Sequence, residues 1–118
     1  MPVIFDSEID RAFYGWTLVG ESEPDTELVL IRPAEVNRLH VIEKIDASYS
    51  DVLVSGLLIA KFGEVVVGKK FIHGAGALDY PGYGRRSHRV NESLTVSLGP
   101  GVEGAKGTLT VSGYTTSP

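Results

Sequence analysis

Apolar and polar residues alternate with a period of two in several short stretches of the chain. The clearest stretch is Ser93–Leu98, with the sequence SLTVSL, and Thr108–Tyr114, TLTVSGY, follows the same pattern. Because successive side chains of a β-strand point to opposite faces, this alternation predicts strands with one buried face. The spacing of an amphipathic helix is not sustained anywhere beyond a single predicted turn over Ser7–Phe13.

Turn-forming residues separate further short segments that are rich in apolar residues. Pro24 and Pro33 mark two of these turns, and Phe62-Gly63 predicts a hairpin. Within the longest segment Glu43 interrupts the apolar face, which indicates either a bulge or an edge position. The strands predicted ahead of Ser93 are Phe13–Val19, Glu27–Ile31, Leu39–Tyr49, Val52–Ala60 and Glu64–His73.

Many short strands between turns are typical of all-β sandwiches and barrels. We therefore predict an all-β fold, an antiparallel β-sandwich of about eight strands with jelly-roll topology. The 118 residues correspond to a single domain. Within it, residues 1–37 are an N-terminal arm with the first strands, a candidate for packing on a neighbouring molecule, and residues 38–118 are the sandwich body. The predicted core residues are Leu39, Val41, Ile45, Val52, Val54, Leu57, Ile59, Val65, Val67, Phe71, Leu94, Val96, Leu98, Leu109 and Val111.

The net charge of −4 is unevenly distributed along the chain. Residues 1–35 carry eight carboxylates and two arginines, whereas the remaining residues carry nine Lys or Arg and seven Asp or Glu. Such asymmetry favours contact with partners of complementary charge. An acidic chain is a poor general binder of nucleic acid, because attraction to phosphates dominates that affinity.

The cysteine content and the hydropathy of the chain exclude several further classes of protein. The chain has no cysteine, which excludes disulfides and thiolate metal sites. It also has no run of about 18 apolar residues that could cross a membrane as a helix. The first ten residues lack the basic and apolar pattern of a signal peptide. We expect a protein that is made and kept in a cytoplasm, without a membrane partner.

No assembled set of catalytic residues is recognisable in the sequence. A Gly-x-Ser-x-Gly elbow is absent, and the acidic residues are scattered among turns. Gly74-Ala75-Gly76 is not followed by the helix of a dinucleotide-binding loop, so we interpret it as a corner with positive φ. His73 and His88 are candidates to meet Asp79 at a metal, but they lack local ligand spacing. We expect that the protein is not an enzyme and holds no cofactor.

The first acidic residues have the spacing of a calcium-binding loop without its other requirements. Asp6, Glu8 and Asp10 match the first three ligand positions, but Arg11 occupies the glycine position and Thr17 the twelfth. A solvated acidic arm is therefore the favoured interpretation, and no metal site is predicted.

The sequence contains one dense basic run, Arg85-Arg86-Ser87-His88-Arg89, which follows the tyrosine-containing segment Tyr80–Gly84. Arginine beside tyrosine is a frequent composition of protein interfaces. A plain solvated loop, or stacking on single-stranded bases, are the alternatives that the composition leaves open. The candidate partner-binding residues, including the aromatic residues of the N-terminal arm, are Phe5, Phe13, Tyr14, Trp16, Tyr80, Tyr83, Arg85, Arg86 and Arg89.

Four segments follow one another in a recognisable order between residues 38 and 114. They are LHVI (residues 39–42), FIHGAGALDYP (71–81), NESLTVSL (91–98) and GTLTVSGY (107–114). In this order of features the chain resembles small β-sandwich structural proteins of tailed bacteriophages. The resemblance implies a jelly-roll-like sandwich that decorates the capsid as a cement protein, often as a trimer.

From this resemblance we expect a virion structural protein that binds between major capsid protein subunits and stabilises the assembled phage head. The expected assembly is a homotrimer on the capsid surface of the virion, made in the host cytoplasm, with no nucleic acid partner. The alternative is a carbohydrate- or host-receptor-binding module of a phage tail. In that case Asp79, Tyr80 and Tyr83 would contact the sugar.

Overall fold

Nine strands make up the regular structure of the computed structural model, which describes residues 13–82, 84–102 and 104–118. The described residues contain no helix, and the turn predicted over Ser7–Phe13 lies outside them apart from Phe13. The strands are β1 (Phe13–Glu21), β2 (Leu28–Arg32), β3 (Leu39–Tyr49), β4 (Ser55–Phe62), β5 (Val65–His73), β6 (Ala75–Asp79), β7 (Arg85–Arg86), β8 (Leu94–Leu98) and β9 (Gly107–Thr116).

The strands form two antiparallel sheets that pack face to face. Sheet I has the order β1-β9-β3-β6, with the short β7 also paired to β3, and sheet II has the order β2-β8-β4-β5. The predicted antiparallel β-sandwich is therefore confirmed. β1 and β2 pair with β9 and β8, so two strands that precede residue 38 are part of the sheets.

The core lies between the sheets because the strands alternate in burial. In β8 the three apolar residues are buried and Thr95 and Ser97 are half-buried on the other face, as predicted. In β9 the same alternation extends from Gly107 to Thr116. Nine predicted core residues are buried, namely Leu39, Val41, Ile45, Val54, Leu94, Val96, Leu98, Leu109 and Val111.

The predicted register of the β4–β5 hairpin was wrong by one residue. Leu58, Ala60, Phe62 and Ile72 face the core, and Phe71 is 75% exposed. Of the other residues predicted to be buried in this region, Val52 and Val65 are exposed and Leu57, Ile59 and Val67 are half-buried.

The error in this register has a physical cause. The segments LLIA in β4 and VVV in β5 are apolar on both faces, so a period of two cannot tell which face is inward. A bulge between Ala60 and Lys61 also shifts the pairing of the two strands.

The bulge predicted at Glu43 is confirmed, whereas the edge alternative is not. The pairing of β3 with β9 shifts register between Ile42 and Lys44, and β3 lies inside sheet I between β9 and β6. On the other side of β3, next to the Lys44–Asp79 pair, the Glu43 carbonyl accepts a hydrogen bond from the Tyr80 N–H at 3.1 Å.

The glycine corner predicted at Gly74-Ala75-Gly76 is confirmed at Gly74, whose φ is +74°. The strand β6 that begins at Ala75 was not predicted, because its AGALD sequence has little apolar alternation. The segment Asp79–Arg86, predicted as a loop, ends in the two-residue strand β7. The Phe62-Gly63 turn is confirmed, with a φ of +56° at Gly63.

Candidate protein-binding surfaces

Three arginines of the basic run lie at one end of the sandwich, which we call the arginine end (Arg85, Arg86 and Arg89). Arg85 and Arg86 form β7 and pair with Ile42 and Val41 near the start of β3. Both arginines are exposed. The structure thus places the basic run at the surface.

Gly84 allows β7 to approach β3. Its φ is +84°, and a Cβ at this position would lie 2.6 Å from the carbonyl oxygen of Ile42 and 2.8 Å from the side chain of Val41. A larger residue would have to push β7 away from sheet I. The glycine next to the basic run is therefore part of what positions Arg85 and Arg86.

Hydrogen bonds fix the loop after β7, and the Arg89 side chain remains at the surface. The buried Ser87 donates its N–H to the His40 carbonyl at 2.8 Å and its hydroxyl to the Arg89 carbonyl at 3.0 Å. The Arg89 N–H donates to the Glu92 carboxylate at 3.2 Å, and the Arg89 Nε lies 3.9 Å from that carboxylate. The Arg89 side chain is 76% exposed, although that of Glu92 is only 13% exposed, so most of the guanidinium surface is open to another anion.

Trp16, a candidate for partner binding, packs into the sandwich. Its indole is half-buried against the core, and its edge meets the His40 ring at a centroid distance of 6.1 Å and an angle of 88°. The Arg32 guanidinium lies 5.4 Å from the indole centroid, within the range of a cation–π contact. In the described structure Trp16 therefore has an internal packing role.

Thr115 connects Trp16 to His40 through one hydroxyl. The Trp16 Nε1–H donates to Thr115 Oγ1 at 2.8 Å, and Thr115 Oγ1 lies 2.8 Å from His40 Nδ1. The His40 Nε2 lies 2.7 Å from the Pro33 carbonyl, which can only accept. The His40 Nε2–H therefore donates to the Pro33 carbonyl, and Thr115 Oγ1 joins Nδ1 to the Trp16 indole.

Tyr80 also has an internal role. Its hydroxyl donates to the Val67 carbonyl at 3.0 Å, and its ring packs against the core beside the edge of sheet II. Burial raises the pKa of this hydroxyl, and the positive charge of Arg85 opposes part of the rise. Because Val67 lies on the edge strand β5, Tyr80 covers a backbone acceptor there.

The remaining aromatic candidates are placed only in part. Phe13 and Tyr14 pair through their backbones with Thr116 and Thr115 in β9. Phe5 and Tyr83 lie outside the described residues.

The outer side of sheet II carries a group of apolar side chains that the sequence interpretation missed. Cross-strand pairs place Val29, Ser97, Ile59 and Lys69 in one row across the sheet. A second row contains Ile31, Thr95, Lys61 and Val66, and Leu57 pairs with Phe71 beside the first row. We call the six apolar residues the apolar face: Val29, Ile31, Leu57, Ile59, Val66 and Phe71.

Contiguous exposed apolar residues of this kind mark interaction sites on soluble proteins. The sequence did contain a signal for the apolar face, because β2, β4 and β5 are apolar at successive positions and not only at alternate ones. The predicted core includes Leu57, Ile59 and Phe71, whereas the structure places all three on the outer side of sheet II.

A second exposed apolar group lies at the end of the sandwich opposite the arginine end. We call Val52, Leu53 and Val102 the apolar tip; all three are more than half exposed. The two loops that carry them are joined, because the Ser50 N–H donates to the Lys106 carbonyl at 2.8 Å.

Acidic residues accompany the apolar tip. The Asp25 N–H donates to the Ala105 carbonyl at 3.1 Å, which brings the acidic turn after β1 to the same end. The exposed carboxylates of this end belong to Glu21, Glu23, Asp25, Glu27 and Asp51.

The histidines considered as metal ligands do not come together. His73 ends β5 near the apolar tip, whereas His88 lies in the loop of the arginine end. The intervening strand β3 has eleven residues, which corresponds to a length of about 35 Å. Among the described residues no group of three His, Cys, Asp or Glu side chains could hold a metal ion. No helix in this part of the chain is long and apolar enough to cross a membrane.

No model of a known protein family matches the chain, and neither does any curated protein sequence. The resemblance to structural proteins of tailed phages therefore stays a prediction. What the chain binds has to be argued from its own surfaces.

Proposed function

We propose that this protein is a non-catalytic structural module whose arginine end binds an acidic surface on a larger protein assembly. The observation that carries the proposal is the exposure of Arg85, Arg86 and Arg89 together on a backbone that is fixed by hydrogen bonds. A fixed backbone lowers the entropy cost of ordering the loop on binding. Arginine also pairs with carboxylates through two parallel hydrogen bonds.

The distribution of charge along the sandwich supports this orientation. The exposed carboxylates of the first strands lie at the opposite end, with Glu23 and Asp25 in the turn after β1. An approaching acidic surface is thus attracted by one end and repelled by the other. Such a field steers encounter and orients the molecule on its partner.

The assembly that we propose is the head of a tailed phage, with the major capsid protein as the partner. In this role the protein would be a capsid decoration protein on the virion surface, assembled as a homotrimer. The order of sequence segments supports the proposal, as does the strand order. With the two-residue β7 set aside, eight strands form two four-stranded sheets with the orders β1-β9-β3-β6 and β2-β8-β4-β5, and this supports the jelly-roll assignment.

The test measures binding to tailed-phage capsid particles that are assembled from the major capsid protein alone and lack this protein. The variant Arg85→Ser/Arg86→Ser/Arg89→Ser should keep the fold, because all three side chains are exposed. We expect its affinity for the particles to fall at least tenfold and the remaining binding to depend less on salt. Equal affinity with an equal salt dependence would show that the arginine end is only a solvated surface.

A charge-matched control separates this contact from a general effect of net charge. Arg85→Ser/Arg86→Ser and Lys44→Ser/Lys106→Ser each remove two positive charges from exposed positions. Lys44 lies on the outer side of sheet I and Lys106 near the apolar tip. Only the arginine pair should weaken binding, and equal loss in both variants would contradict a specific role of the arginine end.

The alternative function, sugar or receptor binding by a phage tail, finds less support in the described residues. The Tyr80 hydroxyl is already bonded to the Val67 carbonyl. A glycan array would test this alternative directly.

A further inference from the structure

We propose that copies of this chain associate head to side, with the apolar tip of one copy docked on the apolar face of the next. This contact would supply the homotrimer of the proposed function. The contact uses surfaces other than the arginine end. Self-association and binding through the arginine end can therefore be tested independently.

The apolar face is a large target for a partner because its side chains lie on a rigid sheet. Ile59 lies in the middle of the sheet, with Val29 on one side and Phe71 toward the opposite edge. The ring of Phe71 is 75% exposed. Burying an aromatic ring and neighbouring aliphatic side chains is what stabilises most protein contacts.

The apolar tip is held in shape by its own hydrogen bonds. The Asp51 carboxylate accepts the Leu53 N–H at 2.9 Å, and the Asp51 carbonyl accepts the Val54 N–H at 3.2 Å. Behind the turn lies Gly74, where a Cβ would approach the Val52 carbonyl oxygen to 2.8 Å. Val52 and Leu53 are thus presented outward by an ordered turn, 77% and 80% exposed.

The charges around the two surfaces favour the apolar tip as the partner of the apolar face. The four strands of sheet II, all of them described, contain four basic residues and no Asp or Glu. Two of these basic residues, Lys61 and Lys69, lie in the rows of the apolar face. At the tip the exposed carboxylates of Glu21, Glu23, Asp25, Glu27 and Asp51 outnumber the exposed Lys106.

The two symmetric arrangements are disfavoured by the same charges. Face-to-face packing of two copies would bring their lysines together, and tip-to-tip packing would bring carboxylates together. Like charges at an interface are unfavourable, whereas the tip-to-face contact pairs opposite charges. Such a contact between two different surfaces continues from copy to copy and closes into a ring when the rotation fits, as in a trimer.

The experiment uses three double variants of the full chain, each of which converts two exposed apolar residues to serine. The face variant is Ile31→Ser/Phe71→Ser, and the tip variant is Val52→Ser/Leu53→Ser. The matched control is Val19→Ser/Val36→Ser, whose residues lie on the outer side of sheet I and in the loop before β3. Circular dichroism and thermal unfolding verify that each variant is folded.

We expect the parent and the control to form the same closed oligomer by sedimentation velocity and native mass spectrometry. The face variant and the tip variant should each be monomeric. An equimolar mixture of these two should form a one-to-one dimer, because one partner retains its face and the other its tip. A mixture that stays monomeric, although each variant is folded and the parent associates, would overturn the proposal.

Two further outcomes also decide against the contact. One is a parent that remains monomeric up to about 1 mM; the other is a control that loses association as much as the face and tip variants. A second test keeps every apolar side chain and changes only a charge of the apolar face. The variant Lys69→Glu should weaken self-association about tenfold or more, because it places a carboxylate opposite the carboxylates of the tip. The triple arginine variant should self-associate like the parent, which distinguishes this contact from capsid binding.

Discussion

The indole nitrogen of Trp16 donates a hydrogen bond to the hydroxyl of Thr115, which lies 99 residues further along the chain, at 2.8 Å. The bond joins the strands β1 and β9 at the arginine end of the sandwich. The same hydroxyl is also the hydrogen-bond partner of His40 Nδ1, so the buried Thr115 side chain bonds to two neighbouring side chains. The beginning and the end of the described chain are thus tied together close to the proposed binding surface.

Removing this hydroxyl should destabilise the protein without changing the size of the side chain. In Thr115→Val the Trp16 N–H and the His40 Nδ1 both lose their partner in a buried place, and an unpaired buried polar group costs about 1–3 kcal/mol. Urea unfolding should show a loss of that size. The matched variant Thr110→Val, on the half-exposed outer side of β9, should change the free energy of unfolding by less than about 0.5 kcal/mol. Equal effects of the two variants would mean that the shared hydroxyl contributes little.

A methyl group at Gly113 should be poorly tolerated. An added Cβ would approach the carbonyl oxygen of Val41, and it would lie within 2.9 Å of two carbon atoms of the Trp16 ring. Overpacking of this kind typically costs about 1–3 kcal/mol, which Gly113→Ala should show in thermal or urea unfolding. Gly15→Ala is the control, because its Cβ would meet only the Gly113 carbonyl oxygen at 3.6 Å. A Gly113→Ala protein as stable as the parent would contradict the close packing of Trp16 on β9.

The register of the β4–β5 hairpin can be tested with two identical substitutions. Phe62 is fully buried and Phe71 is 75% exposed. At protein concentrations below those of self-association, Phe62→Ala should therefore cost about 3–5 kcal/mol, whereas Phe71→Ala should change the free energy of unfolding by less than about 0.5 kcal/mol. The opposite order of these two values would restore the register that we predicted from the sequence.

The centre of the clearest predicted strand provides an independent test of the core. Val96 is fully buried between the sheets, so Val96→Ala should cost about 1–3 kcal/mol in urea unfolding. Ser97→Ala, on the outer side of the same strand, should be close to neutral. A neutral result for Val96→Ala would call the orientation of β8 into question.

Stability should fall at alkaline pH because of two tyrosines. Burial raises the pKa of Tyr49 and that of Tyr80 above the ordinary value of 10.0. Their hydroxyls donate to the carbonyls of Gly99 at 2.7 Å and Val67 at 3.0 Å. The unfolded chain then loses these protons at lower pH than the folded protein, so the stabilisation is complete below pH 10 and declines as the pH rises through the folded pKa values.

Urea midpoints measured from pH 8 to 11.5 in the parent and in Tyr49→Phe/Tyr80→Phe test this expectation. The double variant should show a shallower decline with rising pH, although its stability at neutral pH is lower because two hydrogen bonds are lost. Parallel pH profiles would assign the alkaline loss of stability to other groups.

Some elements were predictable because local sequence alone determines them. The strands β8 and β9 alternate apolar and polar residues over their length, so both their existence and their inward faces follow from the period of two. In β3 the period holds only in part, because all four residues from Leu39 to Ile42 are buried. The interruption of that period at Glu43 predicted a bulge or an edge position, and the structure has the bulge. Local sequence also predicted the corner at Gly74 and the surface position of the basic run.

Where both faces of a strand are equally apolar, only the tertiary structure determined which face is buried. In β4 and β5 both faces are apolar, and only packing against the opposite sheet selected Leu58 and Phe62 for the core. That selection simultaneously created the apolar face. Trp16 and Tyr80 looked like surface anchors in the sequence, but long-range hydrogen bonds to Thr115 and Val67 give them internal roles.

The juxtaposition of distant segments could not be read from the sequence at all. Leu53 and Val102 share one end, and the arginines share the other, because β3 and β9 run antiparallel along the length of the sandwich. Composition and periodicity describe each strand by itself. Which loops meet depends on the strand order, which is determined by how the two sheets bury their apolar faces against each other.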